Sequence, residues 1–121
     1  WDNTHKIYEE SKMKKYLYEF FKEHKNYELI TNNICKDELP ANIKKISLAH
    51  IDVDIYEATL SAIKKVSKRL SKYGIIMCED PAATPYLYGA YYAMEEFINS
   101  NEGKNFIKIF KKTHYFLIKI N

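Results

Sequence analysis

An α/β fold organised around two parallel strands is what this sequence predicts, and three observations carry it. The run Ile46-Ser47-Leu48-Ala49-His50-Ile51 is short and almost wholly apolar, and a helical pattern begins a few residues later. After that helix, Ile75-Ile76-Met77-Cys78 repeats the arrangement. Both runs end in carboxylates, Asp52 and Asp54 after the first and Glu79 and Asp80 after the second. A strand, a helix and a strand in that order make a βαβ unit, which lays the strands side by side. Four acids then gather at one edge of one sheet, the carboxyl edge, outside which open α/β sheets bind ligands.

The rest of the composition narrows the class. A chain of 121 residues is one domain or part of one. The net charge of +3 is spread along it rather than blocked, so nothing marks a nucleic-acid partner. Cys35 and Cys78 form neither a CxxC pair nor a disulfide framework, and a reducing, cytoplasmic setting is expected. No apolar run approaches the ~18 residues of a membrane span, and no signal peptide opens the chain. The opening at Trp1, inside a polar stretch, reads as the downstream piece of a longer protein.

Each element has its own signal. Met13, Tyr16, Leu17, Phe20, Phe21 and His24 follow helical spacing, with lysines and glutamates opposite, and predict a helix from Ser11 to about Asn26. Tyr27-Glu28-Leu29-Ile30-Thr31 favours a strand, and Pro40 ends a loop that leads through a short turn to Ile46. Beyond Asp54, the positions Leu60, Ile63, Val66 and Leu70 mark a helix whose Lys64, Lys65, Lys68 and Arg69 face outward and whose C-cap is Gly74. Pro81 to Tyr88, with Tyr86, is a loop above the acids and a candidate lid. Ala90, Ala93, Met94, Phe97 and Ile98 predict a further helix. Phe106 to Phe110 and Tyr115 to Ile120 alternate as two antiparallel strands around a Lys111-Lys112-Thr113 turn.

Carboxylates packed together repel and raise each other's pKa, so a cluster of them favours a bound cation. Oxygen donors without His or Cys suit a hard ion, Mg²⁺ first, with Mn²⁺ or Ca²⁺ as alternatives. Three families place acids at strand ends. A nucleotide-sugar glycosyltransferase uses a DxD motif for Mn²⁺ and a diphosphate. A haloacid-dehalogenase phosphatase follows DxDx with Thr or Val, where this chain has Tyr56. A metal-dependent O-methyltransferase needs the second acid pair after the next strand, as here.

At these residues the chain resembles the macrocin O-methyltransferase family. Ala49-His50-Ile51-Asp52-Val53-Asp54-Ile55-Tyr56-Glu57-Ala58-Thr59 is similar to its HxDxDxYxxT-like signature, and Gly74 to Asp80 to its GGxxxxDD segment. Gly89 with Ala93-Met94-Glu95-Glu96-Phe97 is similar to its glycine and following AVxEF helix, Tyr115 to Lys119 to its last strand, and Cys35 to Pro40 to the segment before the signature. The resemblance implies an incomplete Rossmann-like, class I S-adenosylmethionine-dependent methyltransferase fold. Residues 1–121 would be its C-terminal portion, with strands 3 to 7 and a terminal antiparallel hairpin. It implies Mg²⁺ held by Asp52, Glu79 and Asp80. Asp52 would also take the proton of a small-molecule hydroxyl, that of a sugar above all, and Asp54 would cap the helix. Glu79 departs from the family's Asp by one methylene. No GxGxxG turn lies upstream to hold S-adenosylmethionine, so that site is incomplete. Two readings of this remain: a part of a longer enzyme, or a degenerate relative that keeps the metal edge and serves as a binding protein. A sheet cut short exposes an edge near Tyr27, so the chain is expected to associate with itself.

Overall fold

The computed structural model describes residues 9–79, 81 and 88–121. They fall into two units, Trp1–Thr31 and Asn32–Asn121.

In the first unit, helix α1 spans Glu10–Phe20. It stops six residues before the expected Asn26, and Phe21 to Glu23 continue as a turn. None of its residues is buried; Tyr16 and Phe20 of the expected apolar stripe are exposed. The strand expected over Tyr27–Thr31 is irregular chain. Strand-favouring residues make a strand only where a neighbour supplies the ladder. Here Tyr27 instead packs its ring on Phe21, centroids 5.1 Å apart, and Thr31 donates to Glu10 Oε1 at 2.9 Å.

The second unit holds the sheet. Strand β1 (Ile46–Ile51) is followed by α2 (Tyr56–Arg69), β2 (Leu70–Cys78), α3 (Tyr88–Asn99), β3 (Phe106–Lys111) and β4 (His114–Lys119). The order across the sheet is β1-β2-β4-β3, with β1 and β2 parallel and the other two pairings antiparallel. The βαβ unit and the terminal hairpin stand as the sequence predicts. The described sheet has four strands instead of five, because residues 27–31 form no strand.

Burial alternates along β2 and β4. Ile76, Cys78, Tyr115 and Leu117 are buried, whereas Ile75, Met77, Phe116 and Ile118 are half-buried on the opposite face. Ala62, Ile63 and Val66 of α2 and Met94 and Phe97 of α3 complete the core on the first face. Both helices therefore lie on one side of the sheet.

Two local expectations are corrected. The helix ends at Arg69, and Gly74 is not its cap but part of β2. Between the pairs Ile46–Leu70 and Leu48–Ile75 the register slips, so β2 bulges over Ser71 to Gly74. Tyr73 takes the left-handed conformation there (φ 63°), and a Cβ on Gly74 would meet Leu70 Cγ and Ser71 O, each at 2.8 Å. Nor do Lys65 and Arg69 simply face solvent. Lys65 Nζ donates to the carbonyls of Ile34 and Asp37, both at 2.7 Å. The Arg69 guanidinium donates to the carbonyls of Leu39, Pro40 and Ile43. Loop carbonyls that would otherwise want for donors thus tie the approach to β1 onto α2.

Candidate functional site at the carboxyl edge of the parallel pair

The register fixes which acids meet. Ile51 pairs with Cys78 at the end of β1 and β2, and the Glu79 amide donates to Ile51 O at 3.2 Å. The ladder thus runs one residue past both strands, and Asp52 and Glu79 leave the sheet side by side. Asp80, the third candidate, and most of the candidate lid, Ala82 to Leu87 with Tyr86, lie outside the described residues.

Asp52 is exposed, as a group offered to a ligand must be. Asp54 has another part from the one expected. The helix N-cap is Ile55, which makes no side-chain capping bond. Asp54 stands one residue earlier with φ 57°, at the centre of a tight turn in which Ile55 N donates to Val53 O at 2.6 Å. Aspartate is among the few non-glycine residues that tolerate this conformation. Its presence there is first a backbone requirement: the turn aims α2 away from the sheet straight after Asp52.

Tyr56, in the first turn of α2, ties that helix to α3. Its hydroxyl donates to Glu96 Oε2 on α3, and Lys64 Nζ donates to Glu96 Oε1 at 3.2 Å. The Tyr56 bond, then Lys64, holds the Glu96 carboxyl below its ordinary range, and the same bond pushes the Tyr56 phenol up. A Cβ on Gly89 would lie 3.0 Å from Tyr56 N. The glycine of the resemblance therefore lets the start of α3 approach the start of α2. The Tyr56–Glu96–Lys64 clasp joins α2 to α3.

His50 lies on the face opposite Ile51, as alternation requires. Its Nε2 is 3.2 Å from Glu79 Oε2, and His114 Nε2, at the start of β4, is 4.0 Å from the same oxygen. Sequence reading had no signal for His114, because its place opposite Glu79 depends on the β2–β4 register.

Among the described residues no group of three His, Cys, Asp or Glu side chains is arranged to hold a metal ion. Glu79, expected as a ligand, has its Oε2 3.2 Å from His50 Nε2. The described part of the edge does not by itself make a Mg²⁺ centre. For the methyl donor, the chain's three glycines are all accounted for elsewhere: Gly74 in the β2 bulge, Gly89 against Tyr56, and Gly103 in the 3₁₀ turn Gly103–Asn105. None supplies the glycine-rich strand-to-helix turn that cradles a nucleotide-type cofactor. No helix among the described residues is long and apolar enough to cross a membrane.

Known structures share this architecture. The structure titled as CalS11, a TDP-rhamnose 3'-O-methyltransferase of calicheamicin biosynthesis, is 21% identical with a TM-score of 0.50; the match covers 61% of this chain and 32% of that one. The O-methyltransferase NovP gives 18% identity and a TM-score of 0.66, over 85% of this chain and 43% of that one. An rRNA methylase from Streptococcus thermophilus gives 19% and 0.66, over 93% and 70%. The chain thus spans about a third and two fifths of the first two. At these identities the likeness establishes the fold, an incomplete Rossmann-like methyltransferase domain, and its presence in an rRNA methylase shows that fold alone does not choose an acceptor. No curated protein matches the sequence. The sequence pattern of the macrocin-O-methyltransferase (TylF) family matches residues 10–116, and the chain belongs to that family.

Proposed function

We propose that this chain is the acceptor-binding part of an S-adenosylmethionine-dependent O-methyltransferase that acts on a hydroxyl of a small molecule, a sugar being the favoured class. The observation that carries the reading is the joint exit of Asp52 and Glu79 from neighbouring parallel strands in a chain of this family. The substrate named for the CalS11 match supports a sugar as the favoured class. S-adenosylmethionine, when bound, would supply an electrophilic methyl group. Asp52 holds the acceptor hydroxyl at a carboxylate oxygen and takes its proton as the oxygen is methylated. Much of the rate comes from holding that hydroxyl in line. Mg²⁺ is assigned to Asp52 and Asp80, oxygen donors of the kind a hard ion prefers. The third position of the resemblance falls on Glu79. The cytoplasm is the proposed compartment, and no part in binding nucleic acid or membrane is assigned.

The test is methyl transfer to a sugar acceptor by the enzyme containing this chain. Asp52→Ala abolishes transfer, by about 10²-fold or more, the size of a lost proton acceptor. Asp54→Ala retains transfer but melts earlier, because alanine at φ 57° is strained by roughly 1 kcal/mol. Equal loss of activity in both variants refutes the role assignment. If S-adenosylmethionine fails to bind the enzyme, the chain belongs to a degenerate, non-catalytic relative.

A further inference from the structure

We propose that Glu79 is the orienting partner of His50 and not a metal ligand, and that His50 so held presents its other ring nitrogen to a second hydroxyl of the acceptor, beside the one that Asp52 deprotonates. This rests on the methyltransferase reading above and changes one residue's part in it.

Met77 pairs with His50 on one side and Phe116 on the other, so these three side chains share the sheet face away from the core. Glu79, two residues beyond Met77, returns to that face, and His114, two before Phe116, does the same. A carboxylate from the middle strand thus stands between imidazoles from both neighbours. Its Oε2 is 3.2 Å from His50 Nε2 and 4.0 Å from His114 Nε2. His114 is held from its other side, with Nδ1 3.0 Å from Thr113 Oγ1 and its ring stacked on Phe116 at 6.3 Å. All three side chains remain partly open to solvent, 45% for His50, 41% for Glu79 and 30% for His114. A ligand can therefore reach them.

The length of the side chain matters. His50 is level with Met77, not with Glu79, so the carboxylate must lean back along the strand to reach it. The aspartate of the family pattern is shorter by one C–C bond, about 1.5 Å, and falls short of that contact. The added methylene thus gives the acid a partner on β1. A carboxylate that accepts from Nε2–H fixes the imidazole in one tautomer and leaves Nδ1 as a lone-pair acceptor. That acceptor stands on the strand that delivers Asp52, at the edge where α/β sheets bind ligands. A hydroxyl donating to Nδ1 is oriented without any metal. An oxygen 3.2 Å from an imidazole nitrogen, with a second imidazole 4.0 Å away, is also a poor start for Mg²⁺, which prefers oxygen donors and retained waters.

Imidazole nitrogen NMR on the enzyme that contains this chain tests this, with Glu79→Gln and Glu79→Ala for comparison and circular dichroism melts as the folding control. In the unmodified enzyme His50 populates mainly the Nε2–H tautomer. Glu79→Ala lowers that preference several-fold, and Glu79→Gln, whose amide oxygen still accepts, largely keeps it. Titration with methyl α-D-mannopyranoside moves the His50 Nδ1 signal in the unmodified enzyme and moves it less in Glu79→Ala. Unchanged His50 signals in Glu79→Ala overturn the orienting role, and no response to the glycoside overturns the acceptor role. Calorimetry with Mg²⁺ separates this from the broader reading. Binding lost in Glu79→Ala makes Glu79 a ligand and refutes the proposal. Binding absent from the unmodified enzyme counts against the Mg²⁺ assignment alone and leaves the tautomer result to decide this one.

Discussion

The two edges of the sheet are built differently. On β3, Phe-Ile-Lys-Ile-Phe-Lys, every third residue is a lysine. Lys108 Nζ donates to Glu95 of α3 at 2.8 Å and lies 5.5 Å from the Tyr115 ring centroid. On β1, Ile-Ser-Leu-Ala-His-Ile, there is no lysine, acid or proline, and Leu48 is 67% exposed. Natural sheets blunt their edges with charge, above all with lysine, because an open row of backbone groups invites another strand. By that standard β3 is a finished edge and β1 is not. The composition of β1 is that of an interior parallel strand, which is how the sequence reads, whereas its exposure is that of an edge. In a doubly wound sheet, a strand next to the point where strand order reverses has neighbours on both sides, and the ligand crevice opens at its carboxyl end. Asp52 and His50 are at that end.

The difference can be broken most severely from the inside. Leu117 is fully buried on β4, the strand that joins β3 to the rest of the sheet. Leu117→Ala should cost about 3 kcal/mol, the usual loss for a core leucine, in a denaturant melt. Leu48→Ala, with most of its side chain already in water, should change stability by under about 0.5 kcal/mol. Comparable losses from both would mean that β1 is covered as fully as β4. Gly103 comes next. It stands in the turn that hands the chain from α3 to β3, and a Cβ there would lie 2.1 Å from Phe97 O and 2.6 Å from Ile98 O. Both are backbone atoms that cannot swing aside, so Gly103→Ala should cost about 2 kcal/mol and loosen β3 before β1. Hydrogen exchange along the two strands would show the order.

These contrasts also mark what could be read from sequence. The βαβ unit, the hairpin and the helix over Ala90 to Ile98 were legible because each is written in a local period, and the acid endings because they follow directly from the strands. Residues 27–31 have strand composition but no ladder partner, which no local pattern reports. Gly74 follows the helical pattern as a cap would, yet the chain turns extended at Leu70, where helix gives way to a bulge. Arg69 and Lys65 occupy polar positions on a helix face, but their long side chains reach loop carbonyls far away in sequence. The row His50, Glu79, His114 spans three strands and was invisible for the same reason. What sequence conveys here is period and punctuation; what it conceals is register and reach.

A smaller effect tests the open edge directly. The isolated chain should associate through β1, and Leu48→Lys should reduce that association without measurable loss of stability. Light scattering over a range of concentration measures it. An unmodified chain that stays monomeric at all concentrations would show that β1 needs no blunting, and the contrast between the edges would lose its meaning.

The smallest effect belongs to the finished edge and depends on pH. The Glu95 carboxylate beside Lys108, through its hydrogen bond, holds the ammonium above the ordinary lysine value, outweighing the opposing effect of burial. A cation whose pKa is raised on folding contributes stability that is fully present below the unfolded value, about 10.4, and lost as pH climbs through the folded one. The clamp between β3 and α3 is therefore intact at neutral pH and weakens only in strong alkali. Because the pair is about a third exposed, solvent screens it and the loss is modest. Lys108→Met, which keeps much of the stem and removes the charge, should flatten the stability profile above pH 10 and leave it nearly unchanged at pH 7. The same substitution takes a charge from the edge, so it should also make β3 more prone to pair with a second chain. A variant that loses the alkaline slope but stays monomeric would separate the two services of Lys108, and would show that the Glu95 contact, not the guarding of the edge, accounts for a lysine there.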